Sequence, residues 1–325
     1  MNRGLAWLTL FMVLSAIRLV YLAELLQRIN TALLLLGCFG LVTILFLVHR
    51  VVVDRSVVRC LARAWTVWPD ILALNLTTAV VWAGHFFALS SGLEPVVYGG
   101  IANAGQPVAT VFLASMISCH CRITRADVLV SVGVLAGIIW LAVTTWSGRS
   151  AVGNISHGAA IAGIGMSVAT ALGMAGTTVF VTRLHLRGIE TTEAMALRFI
   201  TLLVVSAALL PGNALSAAPP ALTIHVVVLS LLGFALPLFC YQRGVEAIDD
   251  PQIVSLLLAM LPILQLLTQF ADPRLTFSFN SLIGIVAMIG FSSLGITLRI
   301  FNRPATSGAS SSDAGQIVDA KDLAE

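Results

Sequence analysis

The chain has 325 residues, of which 58% are hydrophobic and only 10% charged, where an ordinary soluble domain carries roughly 25% charged residues. A single water-soluble core stops growing near about 250 to 300 residues, so so much apolar surface excludes a soluble fold and points to the bilayer as solvent. The net charge of +3 is carried by dispersed basic residues, which excludes a nucleic-acid stripe, and the five cysteines are odd in number and mostly far apart, which excludes a disulfide framework.

A membrane-spanning helix needs about 20 largely apolar residues, and ten stretches qualify: 5–23, 31–49, 70–91, 95–117, 126–146, 158–182, 193–211, 222–242, 251–271 and 278–298. The first is too long for a cleaved leader and lacks a small-x-small cleavage pattern, so it reads as a span. Its Arg18 is expected to reach the outer headgroups, and Glu24 and Arg28 beyond it stand four apart and can pair. The third stretch places Asn75, Thr78, Trp82, His85 and Leu89 on one stripe. His85 titrates in the physiological range and is the best proton carrier if protons drive the protein. Trp82, one turn away, offers a face to a ring or cation.

The fourth stretch, GIANAGQPVATVF, carries Gly99, Asn103, Gln106 and Thr110 as another polar stripe. Pro107 within it removes a backbone donor and frees a carbonyl near Asn103. The loop that follows holds Cys119-His120-Cys121, half of a metal site with no second cluster to complete it, so no metal is expected. In the fifth stretch Gly133 and Gly137 form a GxxxG that permits close helix approach and offers a homodimer surface. Asn154-Ile155-Ser156 is a glycosylation triplet. Arg198 lies a few residues inside the seventh stretch, where it either snorkels to the interface or faces a cleft and holds a carboxylate bidentately. Pro237 interrupts the eighth, and the ninth aligns Ser255, Leu258, Pro262, Gln265 and Gln269. Residues 302–325 are polar and rich in Ser, Gly and Asp, the composition of a disordered tail.

The three polar stripes either line one wet cavity or hydrogen-bond between helices, contributions of about 0.6 kcal/mol each. Three stripes left unpaired against lipid would cost several kcal/mol per group, which favours the cavity. Gln106 and Gln265 are the most central, and replacing either with Leu is expected to abolish substrate binding while leaving the fold intact. Pro107, Pro237 and Pro262 are the expected hinges.

Short loops rich in Arg and Lys stay cytoplasmic. With the N-terminus inside, thirteen of the 18 basic residues fall on inner segments and three, Arg28, Arg149 and Arg274, on outer loops. Both termini are therefore expected to be cytoplasmic, in a cell or inner membrane.

Sliding the chain against itself by 155 positions sets Pro107 on Pro262, Gly92 on Ala247 and Leu93 on Ile248, with a short acidic turn, Glu94 or Asp249-Asp250, before the next helix in each copy. The halves, 1–150 and 151–301, hold five spans each, an odd number, so the second enters the membrane inverted. The expected fold is thus an all-α integral membrane protein of ten transmembrane helices in two inverted five-helix repeats, an architecture of secondary transporters.

The run NLTTAVVWAGHFFALSSGLEPVVYGGIANAGQPVATVFLASMI resembles the core of an EamA-type module of the drug/metabolite transporter superfamily. FCYQRGVEAIDDPQIVSLLLAMLPILQLL repeats it, and TTEAMALRFITLLVVSAALLP resembles that family's seventh span with its Leu-Arg-Phe. The first half departs from the pattern, with Cys38 before Phe39 where an Arg would stand. The resemblance implies efflux of a small amphiphilic metabolite, such as an amino acid or a derivative. The absence of Lys from every span speaks against phosphate esters and nucleotide sugars.

The resemblance and the pattern together set the substrate-binding candidates as Asn75, Trp82, His85, Asn103, Gln106, Thr110, Arg198, Gln265 and Gln269. The expected partners are a small-molecule substrate and the lipid bilayer, with no nucleic acid and no cofactor. The competing reading is an integral membrane group-transfer enzyme acting on a lipid-linked substrate. Such chemistry needs deep carboxylates, whereas Asp70, Glu94, Glu193, Asp249 and Asp250 all sit at span ends, and no nucleotide-binding GxxxxGK[ST] motif occurs.

Overall fold

The computed structural model describes residues 2–54, 62–63, 65–117, 125–153, 155–214, 219–248, 251–272 and 278–301. The expectations on Cys119-His120-Cys121, Asn154, Asp249, Asp250 and the tail from 302 lie outside those residues. The described residues are helical, without a strand: α1 (Asn2–Leu25), α2 (Thr31–Asp54), α3 (Trp68–Ser90), α4 (Pro95–Gly99), α5 (Gly105–Ile117), α6 (Arg125–Trp146) and α7 (His157–Leu186). There follow α8 (Thr191–Leu197), α9 (Ile200–Ala208), α10 (Leu222–Val228), α11 (Leu236–Ile248), α12 (Pro251–Leu258), α13 (Leu261–Phe270) and α14 (Phe279–Phe301).

Helix covers all ten expected stretches, and eight helical runs are long and apolar enough to cross a membrane. The protein is thus an all-α chain with the character of a multi-pass membrane protein. Residues 95–117, which carry Asn103, Gln106 and Pro107, are not among the eight. Their surroundings explain how such a segment survives: every residue from Pro95 to Ala104 is buried by neighbouring helices.

Local chemistry sets the helix ends. Asn30 Oδ1 accepts the Leu33 N–H at 3.1 Å to open α2, and Ser156 Oγ accepts the Ala159 N–H at 3.2 Å to open α7. Glu190 and Glu193 form a reciprocal capping box at α8. Gly92 and Gly188, at φ 83° and 78°, turn the chain after α3 and α7 with a conformation that costs other residues dearly.

Four long segments are broken. A π turn, Gly100–Ala104, joins α4 to α5 just before Pro107, and a second, Leu229–Ala235, joins α10 to α11 just before Pro237. Ala259 and Met260 separate α12 from α13 just before Pro262, and Arg198 and Phe199 separate α8 from α9 without a proline. Proline lacks the N–H that an α turn needs and its ring crowds the carbonyl four residues earlier, so the wider turn or break relieves it.

Helix pairing depends on small residues, because apolar contact alone gives little association in lipid. The long α3 lies along α7, where a methyl group on Gly84 would meet the Met166 carbonyl at 3.0 Å and one on Gly173 the Thr77 carbonyl at 3.0 Å. In α1, which lies along α11, Gly4 is tight against Ile248, with a methyl there only 2.8 Å from its side chain. The third such pair is α6 and α14. Its Gly133 and Gly137 close on Phe291 and Met288, so the GxxxG face expected to offer a homodimer surface is filled from within the chain.

Apolar burial falls into two clusters. One, around Phe39, Trp82, Phe86 and Phe234, includes residues of α1, α2, α3, α8, α9 and the second π turn, and the other gathers Leu8, Phe11, Tyr241, Val254 and Leu261.

Candidate functional site

A cavity lies between the two apolar clusters and draws its walls from both. Its polar lining comes from α1 (Arg18), α3 (Trp82, His85), α4 and its π turn (Tyr98, Asn103), α7 (Thr177), the α8–α9 break (Arg198), α11 (Tyr241) and α13 (Gln265). Phe11, Val81, Met174, Leu238 and Leu261 complete the wall.

Five of the nine residues expected from the sequence, Trp82, His85, Asn103, Arg198 and Gln265, line this cavity. His85 Nδ1 is 2.7 Å from the Tyr98 hydroxyl, with the rings edge to face. Its Nε2 has no partner, nor have Trp82 Nε1 and Gln265 Oε1. Asn103 donates to the Gly99 carbonyl at 2.8 Å, one turn back inside its own helix. A methyl group on Gly99 would collide with the Gln265 amide, so the bare α-carbon leaves room for that amide.

The other four are placed elsewhere. Asn75 donates to the carbonyls of Leu197, at 2.8 Å, and Ile71, at 3.0 Å, and accepts from the Thr201 N–H at 3.3 Å. It thereby bridges the α8–α9 break and holds the turn that aims Arg198. Gln106 donates to Thr178 Oγ1 at 2.9 Å and Ser255 Oγ at 3.2 Å, and Thr110 shares a 2.9 Å bond with Ser255, a network between α5, α7 and α12. Gln269 donates to Glu94 Oε1 at 2.8 Å, beyond the cavity. Pro107 lines a separate small crevice with Asp127 and Ser131.

Arg18 is the main correction. The sequence places it near the end of a span, where snorkelling would be usual, but it is 7% exposed and points inward. Its guanidinium lies 5.0 Å from the Trp82 ring centroid and 5.1 Å from that of Phe234, and Nη1 donates to the Gly233 carbonyl at 2.9 Å, inside the second π turn. That turn presents a carbonyl to the arginine, and the two aromatic faces supply an attraction that grows on leaving water. Arg198, 2% exposed, donates to Thr78 Oγ1 at 3.3 Å and lies over the Phe199 ring at 5.4 Å. Glu24 and Arg28 pair at 3.1 Å as expected.

Sequence reasoning also missed Tyr98 and Tyr241. The chain has three tyrosines, and a tyrosine within an apolar helix needs a partner for its hydroxyl, which is a usable signal. Here Tyr98 meets His85 and Tyr241 meets Thr178 at 2.6 Å.

Beyond the cavity the two ends of the molecule are tied by different chemistry. At one end the Glu94 carboxylate accepts from the Ala151 N–H at 2.8 Å, Ser281 Oγ at 2.9 Å and Gln269 Nε2 at 2.8 Å. Burial pushes the Glu94 carboxyl up from its ordinary value, and the three donors pull it partly back. At the other end Arg50 meets Glu190 at 2.7 Å and Glu193 at 2.9 Å, while Asp70 receives Arg183 at 3.2 Å and Arg187 at 2.8 Å. Each of these ties joins a residue before position 150 to one after it.

No protein-family model and no curated protein matches the sequence. The structure is similar to a solved one described only as "Crystal structure of protein", with a TM-score of 0.63 and 16% identity over 94% of this chain and 99% of that one. That likeness shows a shared fold spanning nearly the whole of both chains.

Proposed function

We propose that the protein is a secondary transporter of the EamA type in a cell or inner membrane, with ten spans in two inverted halves, moving a small amphiphilic metabolite outward by alternating access. The observation that carries this reading is the central cavity set between two ends whose cross-half ties are breakable polar contacts. A protein that opens to each side in turn needs a site in the middle and a separable closure at each end.

Helix packing supports the inverted relation. Exchanging each span with the one five further along converts the α3–α7 pair into α11–α1, the α5–α7 pair into α13–α1, and the α6–α14 and α2–α9 pairs into themselves; all of these contacts occur. The shift of 155 positions that sets Pro107 on Pro262 also sets Ala104, the end of the first π turn, on Ala259, the start of the α12–α13 break. Phe39 and Phe199, the residues that follow Cys38 and Arg198, meet across the halves with centroids 5.0 Å apart. The positive-inside bias puts the Arg50 end and both termini in the cytoplasm and the Glu94 end outside.

Catalysis by a group-transfer enzyme would place carboxylates at the reacting centre. Among the described residues the cavity is lined by no Asp or Glu. Counterflow in proteoliposomes tests the reading directly. Purified protein preloaded with one compound of an amino-acid and organic-acid panel should accumulate the same labelled compound transiently; a panel without any counterflow, together with turnover of a lipid-linked substrate, would replace transport by the enzyme reading.

A further inference from the structure

The cavity contains two arginines and no carboxylate. Guanidinium groups stay protonated under all ordinary conditions, so the lining carries two positive charges from Arg18 and Arg198. Neither forms a salt bridge with a described residue; their contacts are one backbone carbonyl, one hydroxyl, a thioether and aromatic faces. Glu94 is engaged by three donors at one end of the molecule, and Asp70 and Glu193 by arginines at the other. Desolvating an ion without a counter-charge costs several kcal/mol even after relaxation. Two such ions beside one void therefore mark a place built for a negative charge that the chain does not supply.

Unmet hydrogen-bond capacity agrees. Arg18 Nε and Trp82 Nε1 are buried donors without acceptors, and both residues line the cavity. Gln265 Oε1, across from Gly99, is an unmet acceptor there, and His85 Nε2, donor or acceptor according to its tautomer, is unpartnered as well. The remaining wall, with Phe11, Trp82, Tyr98, Met174, Leu238 and Tyr241, suits an apolar or aromatic body.

We propose that the cavity binds an organic anion, its acidic group between Arg18 and Arg198, its apolar body against Trp82, Tyr98 and Tyr241, and an N–H or O–H next to the acidic group donating to Gln265. This rests on the cavity being the substrate site of the transporter, and it narrows that site to ligands with net negative charge at the head. Amines without an acid group are excluded by the same two charges. A carboxylate or a phosphate monoester presents the chemistry that a guanidinium fork meets bidentately.

The test is equilibrium binding to the purified full chain in detergent, read by ligand-induced shift of the melting temperature and by tryptophan fluorescence. The probes are phenylacetate, phenyl phosphate, phenylalanine, phenethylamine and 2-phenylethanol. An anion should bind at least 10-fold more tightly than phenethylamine and 2-phenylethanol, and the tighter of phenylacetate and phenyl phosphate identifies the acidic group. Arg18→Gln and Arg198→Gln should each weaken that anion at least 10-fold while the ligand-free protein melts at the same temperature or higher, since a buried charge without a partner is removed.

The proposal is overturned if phenethylamine binds as tightly as the anions, if no anion binds at millimolar concentration, or if the Gln variants bind anions unchanged. It is equally overturned if the ligand-free Gln variants melt well below the parent, because the arginines then serve the fold. Should a Gln variant fail to express, Arg18→Lys and Arg198→Lys keep the charge, and unaltered anion affinity in both would remove the guanidinium fork from the site. Anion binding without counterflow would sink transport and spare this site; counterflow of phenethylamine would do the reverse.

Discussion

Gln106 and Gln265 look equivalent in the sequence, each a turn or less from its proline, yet they are put to different use. Gln106 donates its amide N–H groups to Thr178 and Ser255 outside the cavity lining, whereas Gln265 lines the cavity; the carbonyl oxygen of each is without a partner. Gln265→Leu should therefore weaken ligand binding about 10-fold with little change in melting temperature, and Gly99→Ala, whose new methyl displaces the same amide, should do likewise. Gln106→Leu should lower stability by about 1–2 kcal/mol, the penalty of leaving its hydroxyl partners unpaired, and keep binding; isothermal titration and thermal melts on the three variants check this. Helical spacing put both glutamines on polar stripes but could not say which neighbour each stripe faces. Arg18 was misjudged for the same reason, since its acceptor, Gly233, lies 215 positions away. Glu94 adds a pH dependence. Burial raises its carboxyl, so the folded protein holds that proton more tightly than the unfolded chain. Its contribution to stability is complete below about pH 4, the unperturbed range, and is lost as pH rises through the raised value. The slope of melting temperature against pH between the unperturbed and the raised value should flatten in Glu94→Gln, and an unaltered slope would take the role from Glu94.

The elements were legible where hydropathy speaks and silent where geometry does. Each of the ten apolar stretches became helix, and Pro107, Pro237 and Pro262 each follow closely on a π turn or a break. The π turns themselves left no mark beyond the proline, and the α8–α9 break has no proline at all; Asn75 and Thr201 hold it from the side. Eighth-span helix also continues to Ile248, past the expected residue 242, with Arg243 and Glu246 paired at 3.1 Å on its last turns. If the broken segments are the moving parts, Pro107→Ala and Pro262→Ala should restore α-helical hydrogen bonding near Asn103 and Leu258 and stiffen the hinges. Ligand affinity should change less than threefold while exchange slows at least 10-fold, measured as binding and counterflow on the same preparations. Equal loss of both would make the prolines part of the site's shape instead.

At the scale of the whole molecule, composition makes the bilayer the solvent, and the proposed five spans per half, an odd number, make inversion the economical arrangement. What no count of spans could supply is the pairing between halves: α3 with α7, α1 with α11 and α6 with α14 bring together residues far apart in the chain. Those pairs depend on glycines that read as ordinary membrane composition until their partners are known, and the GxxxG of α6 proved to serve one of them. The cavity, the Glu94 tie and the Arg50 and Asp70 ties all lie across that same boundary, so the account predicts that the halves must separate at one end for substrate to pass. The most direct measurement bridges Glu94→Cys and Gln269→Cys with a short bis-maleimide, in a background whose five native cysteines are replaced, and follows counterflow in proteoliposomes. Cross-linking should stop counterflow and leave ligand binding in detergent intact; a cross-linked protein that exchanges substrate at the rate of the uncross-linked one would contradict alternating access between the two halves.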